Sequence, residues 1–118
     1  PEQARVVVVS QKFEEYGRQV EAQLREAGMR VSGDYRAEKI GAKIRDAQLE
    51  LIPYMLIVGG REMENGEVSI RDRIDGDLGA MSVAGAIAKF EDEINNRVVR
   101  KTFSGSAGLV SRDAQNEY

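Results

Sequence analysis

The chain has no cysteine, no histidine and no tryptophan among its 118 residues, and only two prolines. Without Cys it has neither disulfides nor thiolate chemistry. That fits a cytoplasmic location, with an organelle as the other expectation. Without His, the zinc sites, His general bases and Ser-His-Asp triads that need imidazole are excluded within the chain. Carboxylate and lysine chemistry stay open. No apolar run reaches the length that spans a bilayer, and the first residues do not resemble a signal peptide, so no membrane partner is expected. Basic charge is also short: 17 Lys and Arg stand against 20 Asp and Glu, a net charge of −3. The balance is 5 basic to 6 acidic in residues 1–35, 7 to 7 in 36–73 and 5 to 7 in 74–118. Bulk attraction to phosphate is therefore not indicated. Any contact with nucleic acid must be local and geometric.

The chain has the length of one small domain. Its organising stretch is residues 53–73. Tyr54-Met55-Leu56-Ile57-Val58 is a short apolar run between Pro53 and Gly59-Gly60. It reads as a central strand buried on both faces. Asn65-Gly66 then stands between two segments of mixed polarity, which predicts a hairpin turn. Counted from that turn, residue 62 pairs with 69 and 60 with 71. Glu62 and Arg71 are then diagonal neighbours on one wet face, with Arg61 and Arg73 nearby.

Around this stretch the periodicities predict strands at Val6–Val9, Met29–Asp34, Tyr54–Arg61 and Glu67–Ile74, with a short fifth near Leu78–Met81. Helices are predicted over about 11–27, 38–51 and 82–97. Phe13, Tyr16, Val20 and Leu24 form an apolar stripe between Ser10 as N-cap and Gly28 as C-terminal stop. Ile40, Ile44, Ala47 and Leu51 form the second stripe, with Lys39, Lys43, Asp46 and Glu50 on other faces. Ser82 caps the third helix, whose inward residues are Val83, Ala86, Ile87, Phe90 and Ile94. The order describes an α/β fold: a mixed, mostly parallel sheet of four to five strands with three helices. Residues 1–97 read as the domain and 98–118 as a polar tail. Pro1 in place of Met, with a strand starting at once, reads as a piece of a longer protein.

Chemistry-bearing motifs are few. Gly59-Gly60 lacks the Gly-Lys-Ser/Thr of a P-loop and reads as a strand end. Asp75-Gly76-Asp77 lacks the remaining ligands of a calcium loop and reads as a polar turn. Arg36 to Gly41 opens the second helix. It is either a solvated first turn or a display of cations beside a helix N-terminus. Gly41 costs about 1 kcal/mol in a helix, which predicts close packing there. Arg71 can fork onto a guanine's acceptor edge and Glu62 can accept from a base. The same pair can equally be a cross-strand ion pair.

The run from Asp34 to Gln48, the run Ile52 to Gly59, the residues Glu62, Glu64, Gly66, Val68, Arg71 and Arg73, and Asp77-Leu78-Gly79-Ala80-Met81-Ser82 together resemble the C-terminal anticodon-binding domain of threonyl-tRNA synthetases. The resemblance covers about residues 1–97, and Pro1-Glu2-Gln3 resembles the junction after the catalytic domain. It implies a module that reads the anticodon loop of threonine tRNA, with splayed bases read on their edges. Glu62 and Arg71 fall on the family's anticodon-contacting Glu and Arg, which meet bases G and U. Arg36 and Lys39 fall on its basic positions, and Arg61 joins them as a phosphate or base contact. Tyr35 is a stacking residue or a half-buried strand residue. The family usually has Asn where this chain has Ala37, so that base contact is lost or moved. The resemblance further implies a homodimeric parent enzyme whose other domains bind ATP, magnesium and zinc, with no cofactor or catalytic residue in this piece. The rival reading is a protein-interaction or dimerisation module that keeps the fold.

Overall fold

The computed structural model describes residues 2–107, apart from the side chains of Ile94 and residues 97–107. The elements are β1 Ala4–Val8, a 3₁₀ turn Gln11–Phe13, α1 Glu14–Glu26, β2 Val31–Asp34, α2 Ile40–Leu49, β3 Tyr54–Val58, α3 Gly60–Asn65, β4 Glu67–Asp72, β5 Gly76–Ser82 and α4 Val83–Ala107. The chain divides into two compact units, one ending at Ile87 and one starting at Ala88. The first holds the sheet and α1 to α3. In the second, α4 carries a Lys89–Glu93 ion pair at 2.6 Å and an Asn96–Asp92 hydrogen bond, both one helical turn apart.

One five-stranded sheet runs in the order β2-β1-β3-β4-β5. β1 is parallel to β2 and β3, whereas β3–β4 and β4–β5 are antiparallel. The sheet is thus mixed, with β4 alone running against the other four strands. β3 is the middle strand, as its unbroken apolar run predicts, with Met55, Leu56 and Val58 fully buried. One face packs against α1 through Val20 and Leu24, both buried. Gly17 lets α1 approach closely, since a Cβ there would stand 2.8 Å from Val8. On the other face, Val7, Met55, Ala47 and Ile52 form a buried cluster, with Ile40, Ile44 and Ile57 against it. Val7, Ile52 and Met55 each contribute about 1.5–3 kcal/mol by leaving water.

The local punctuation follows its chemistry. Ser10 accepts from the Lys12 N–H. At the end of α1, Gly28 has φ +91°, its N–H donates to Arg25 O and the N–H of Met29 donates to Leu24 O. That pair of bonds is the Schellman closure, which favours Gly because it needs positive φ. Ser82 accepts from the Gly85 N–H and caps α4.

Four expectations are corrected. Residues 60–65 form α3 in place of a hairpin arm, so the fold has four helices among the described residues. Gly66, at φ +67°, ends that helix. A type I′ hairpin turn and a helix C-terminal stop both require a left-handed residue, and Asn-Gly supplies either. Glu62, three residues after Gly59 and accepting its backbone N–H, supplies the N3 half of a helix-start capping pattern, and that spacing is the signal that separates them. Second, the hairpin lies between β4 and β5. Asp72 Oδ1 accepts from the N–H groups of Ile74 and Asp75 there, so the polar turn expected at 75–77 lies at 73–75 and β5 starts at Gly76, ahead of the fifth strand expected near Leu78–Met81. Third, α4 runs past residue 97 to Ala107; residues 108–118 of the expected tail, and the Ile94 side chain, lie outside the described residues. Fourth, Gly41 has open space where its Cβ would be, so no close packing explains it.

Candidate nucleic-acid interface

Lys43 is the main departure inside the first unit. Helical spacing places it on an outer face of α2, yet it is fully buried. Its Nζ donates to the carbonyl of Val8 at 2.8 Å. Val8 ends β1, the strand flanked by β2 and β3, where the two crossovers part. Doubly wound sheets bind small ligands in the crevice at such a point. Here the lysine stem and ammonium fill it. The aliphatic stem explains why α2 can bury this position, since a long amphipathic chain packs its methylenes and directs its head to an acceptor.

Arg36 and Lys39 sit on the connection from β2 to α2. Arg36 donates to Asp34 at 2.9 and 2.7 Å and to Asp46 at 2.9 Å. Its fork is therefore engaged by two carboxylates. The Arg36 hydrogen bonds hold the Asp34 carboxyl below the ordinary carboxylate range, against the upward push of burial, and Lys43 adds to the lowering. Lys39 is the N-cap residue of α2, is exposed, and makes no side-chain cap. Ala37 is exposed in the bend before it. At the far end of α2, Arg5 bonds Glu50 at 2.7 Å, and it also bonds Glu2 and Ser32. A cleft of about 280 Å³ lies between these pairs along edge strand β2, but its charged walls are paired with one another.

Glu62 and Arg71 stand on the other side of β1. Glu62 is in the first turn of α3. Its Oε1 accepts from the Gly59 N–H at 2.8 Å and its Oε2 from the Ser69 hydroxyl at 2.7 Å. Burial acts to raise its pKa, but the Ser69 and backbone hydrogen bonds and nearby Arg61 outweigh it, so the carboxyl lies below its ordinary value. Arg71 is half-buried on β4, and its Nε is buried with no hydrogen-bond partner among the described residues. Arg71 lies opposite Met55 and Ser69 opposite Ile57, on the sheet face that carries α2. Glu62, held on Ser69, is thus about 7 Å along the strand from Arg71. Arg61 is exposed beside Glu62.

Asp34, Val7, Ile57 and Ser69 lie in one row across the sheet. Three strand spacings separate its ends, about 14 Å. The expected residues therefore fall into two groups, Arg36 with Lys39 at the start of α2 and Glu62 with Arg61 and Arg71 by β4. Tyr35 belongs to neither. Its hydroxyl donates to Glu21 at 2.6 Å, Arg18 lies 4.2 Å over its ring, and the ring covers Gly33. It is a packing residue, and burial first, then the Glu21 carboxylate, raise its pKa.

With Lys43 at the switch point and the expected charged side chains set on the β2–α2 connection, on α3 and on β4, the fold is that of a five-stranded α/β domain whose chemistry is carried by charged side chains. A family model described as an anticodon binding domain matches residues 3–93. The chain belongs to this anticodon-binding domain family. It is 52% identical over 99 residues to a threonine--tRNA ligase of Caldanaerobacter subterraneus, covering 84% of this chain and 15% of that protein. It is 48% identical over 111 residues to a threonine--tRNA ligase of Rhodopirellula baltica, covering 94% and 15%. The RNA binding domain of threonyl-tRNA synthetase from Cryptosporidium parvum superposes with a TM-score of 0.75 at 37% identity, over 78% of this chain and 23% of that one. A histidyl-tRNA synthetase from Nostoc shares the fold at a TM-score of 0.74 and 22% identity, over 80% of this chain and 23% of that one. The chain spans about 15% of the length of the curated relatives it matches.

Proposed function

We propose that this chain is the module with which a threonine--tRNA ligase reads the anticodon of threonine tRNA. The observation that carries this is that Glu62, bonded to Ser69, lies beside Arg71 two residues further along the same face of β4, in a domain whose relatives bear that enzyme's name. Arg71 supplies a fork for a base's acceptor edge. Arg61 and Lys39, both exposed, supply phosphate contacts on either side. Glu62 uses one lone pair of each oxygen internally, so it accepts from a base only through the remaining ones. Arg36 reaches RNA only by exchanging a carboxylate partner. In this reading the longer polypeptide is a homodimer, and ATP, magnesium, zinc and the aminoacylation chemistry belong to its other domains. Residues 1–97 form the recognition domain, and residues 98–118 are its polar C-terminal tail.

The test is titration of the chain with a threonine tRNA anticodon stem-loop at two salt concentrations, beside loops with one anticodon base replaced. Weakening of about 1–3 kcal/mol for each replaced base supports the reading. Equal affinity for all loops, abolished by salt, refutes it and favours a protein-interaction role.

A further inference from the structure

Guanine is the base that offers two acceptors, O6 and N7, next to two donor sites, N1–H and the 2-amino group. Reading all of it takes a guanidinium beside a carboxylate with acceptor sites to spare. Within the anticodon reading above, on which this inference rests, Arg71 is the guanidinium. Both oxygens of Glu62 already accept hydrogen bonds, from Gly59 and Ser69. The residue directly opposite Arg71 on β5 is Asp77. Opposite residues on an antiparallel pair have Cβ atoms about 5 Å apart on one face.

A register shift between Ile70 and Arg71 creates this pairing. Ile70 faces Gly79 and Arg71 faces Asp77, so Leu78 is the extra residue of a bulge. Gly79, at φ +90°, makes the bulge possible. Asp77 Oδ1 accepts the Gly79 N–H at 2.8 Å, which holds the carboxylate over the bulge. Its Oδ2 has no partner among the described residues, and the residue is exposed. No ion pair joins Asp77 to Arg71 among the described residues, so neither group consumes the other. Bulges commonly re-aim a side chain in this way.

We propose that Asp77 is a further specificity-determining residue: it accepts from the N1–H and 2-amino group of an anticodon guanine whose O6 and N7 face Arg71. The test uses the whole chain and its Asp77→Asn and Asp77→Ala variants, titrated with anticodon stem-loops carrying guanine, inosine or adenine at the guanine position. Inosine lacks only the 2-amino donor. Asn keeps an acceptor for the Gly79 N–H, so that variant separates recognition from bulge geometry. The wild-type chain is expected to bind the guanine loop roughly tenfold more tightly than the inosine loop. In both variants that ratio falls toward one, and the inosine loop weakens as well but by less than the guanine loop, because inosine keeps the N1–H that Asp77 accepts. A wild-type chain that prefers guanine to adenine but ignores inosine overturns the role of Asp77 and leaves the anticodon reading standing. So do variants that keep the guanine-to-inosine ratio. A wild-type chain that distinguishes none of the loops overturns both.

Discussion

Gly33→Ala makes a sharp test of how the edge of this sheet is packed. Gly33 is on β2 opposite Val6. A Cβ at this position would stand 2.3, 2.4 and 2.5 Å from Cε2, Cζ and the hydroxyl oxygen of Tyr35. The ring must therefore swing away. It then loses its hydrogen bond to Glu21, of the kind worth about 1.5–3 kcal/mol to a charged acceptor. It also loses the Arg18 contact, about 0.5–1 kcal/mol. The ring is only half-buried, so water restores part of the first loss, and Ala regains about 0.5–1 kcal/mol over Gly in a strand. The expected net cost is about 1–3 kcal/mol, the usual range for an overpacked site. Urea unfolding of Gly33→Ala, Tyr35→Ala and the double variant forms the cycle that isolates this contact. In the Tyr35→Ala background Gly33→Ala should be neutral or slightly stabilising. An equal cost in both backgrounds would refute the reasoning, because the clash would then lie elsewhere than the ring.

Three further outcomes rest on particular contacts. Among the described residues, Leu51 is the one non-glycine residue with positive φ, at 61°, and it is 65% exposed. Leu51→Gly removes a strain of about 1–2 kcal/mol against about 0.5–1 kcal/mol of added chain entropy, so urea unfolding should show a gain of up to about 1 kcal/mol. Lys43→Ala loses about three buried methylenes, about 2 kcal/mol, and orphans the Val8 carbonyl. Lys43→Met keeps most of the stem and sheds the desolvated ammonium, so it should be the less damaging variant by about 1 kcal/mol or more; equal losses would show that the charge dominates. Asp34 has a lowered pKa in the fold. Its contribution is present above the ordinary Asp value, about 4, and is lost as pH falls through the lower folded value. Unfolding free energy should drop on going from pH 7 to pH 3, and Asp34→Asn should flatten that drop.

Much of this was legible without coordinates where the deciding interaction is local. Ser10, Gly28 and Ser82 act on amides within a few residues, so type and spacing alone mark the helix ends. The valines of β1 and the run Tyr54–Val58 announce buried strands because nothing polar interrupts them. The charged residues of the candidate site were also visible by type and in the basic start of α2, although the hairpin pairing that made Glu62 and Arg71 diagonal neighbours is replaced by α3. Most of their partners were not. Arg36 meets Asp46, and Glu62 reaches Ser69 from a helix instead of a strand, only because helices fold back onto the sheet.

The residue order by itself determined the α/β class, the middle strand, the caps and the absence of imidazole and thiol chemistry. These depend on periodicity and composition, which a linear chain carries in full. Tertiary structure decided that Asn65-Gly66 stops a helix, that Lys43 turns inward to the end of β1, and that Asp77 faces Arg71. Each is a choice between local states of similar free energy. It is settled by a partner distant in sequence: β4 for α3, the Val8 carbonyl for Lys43, and the bulged register of β5 for Asp77.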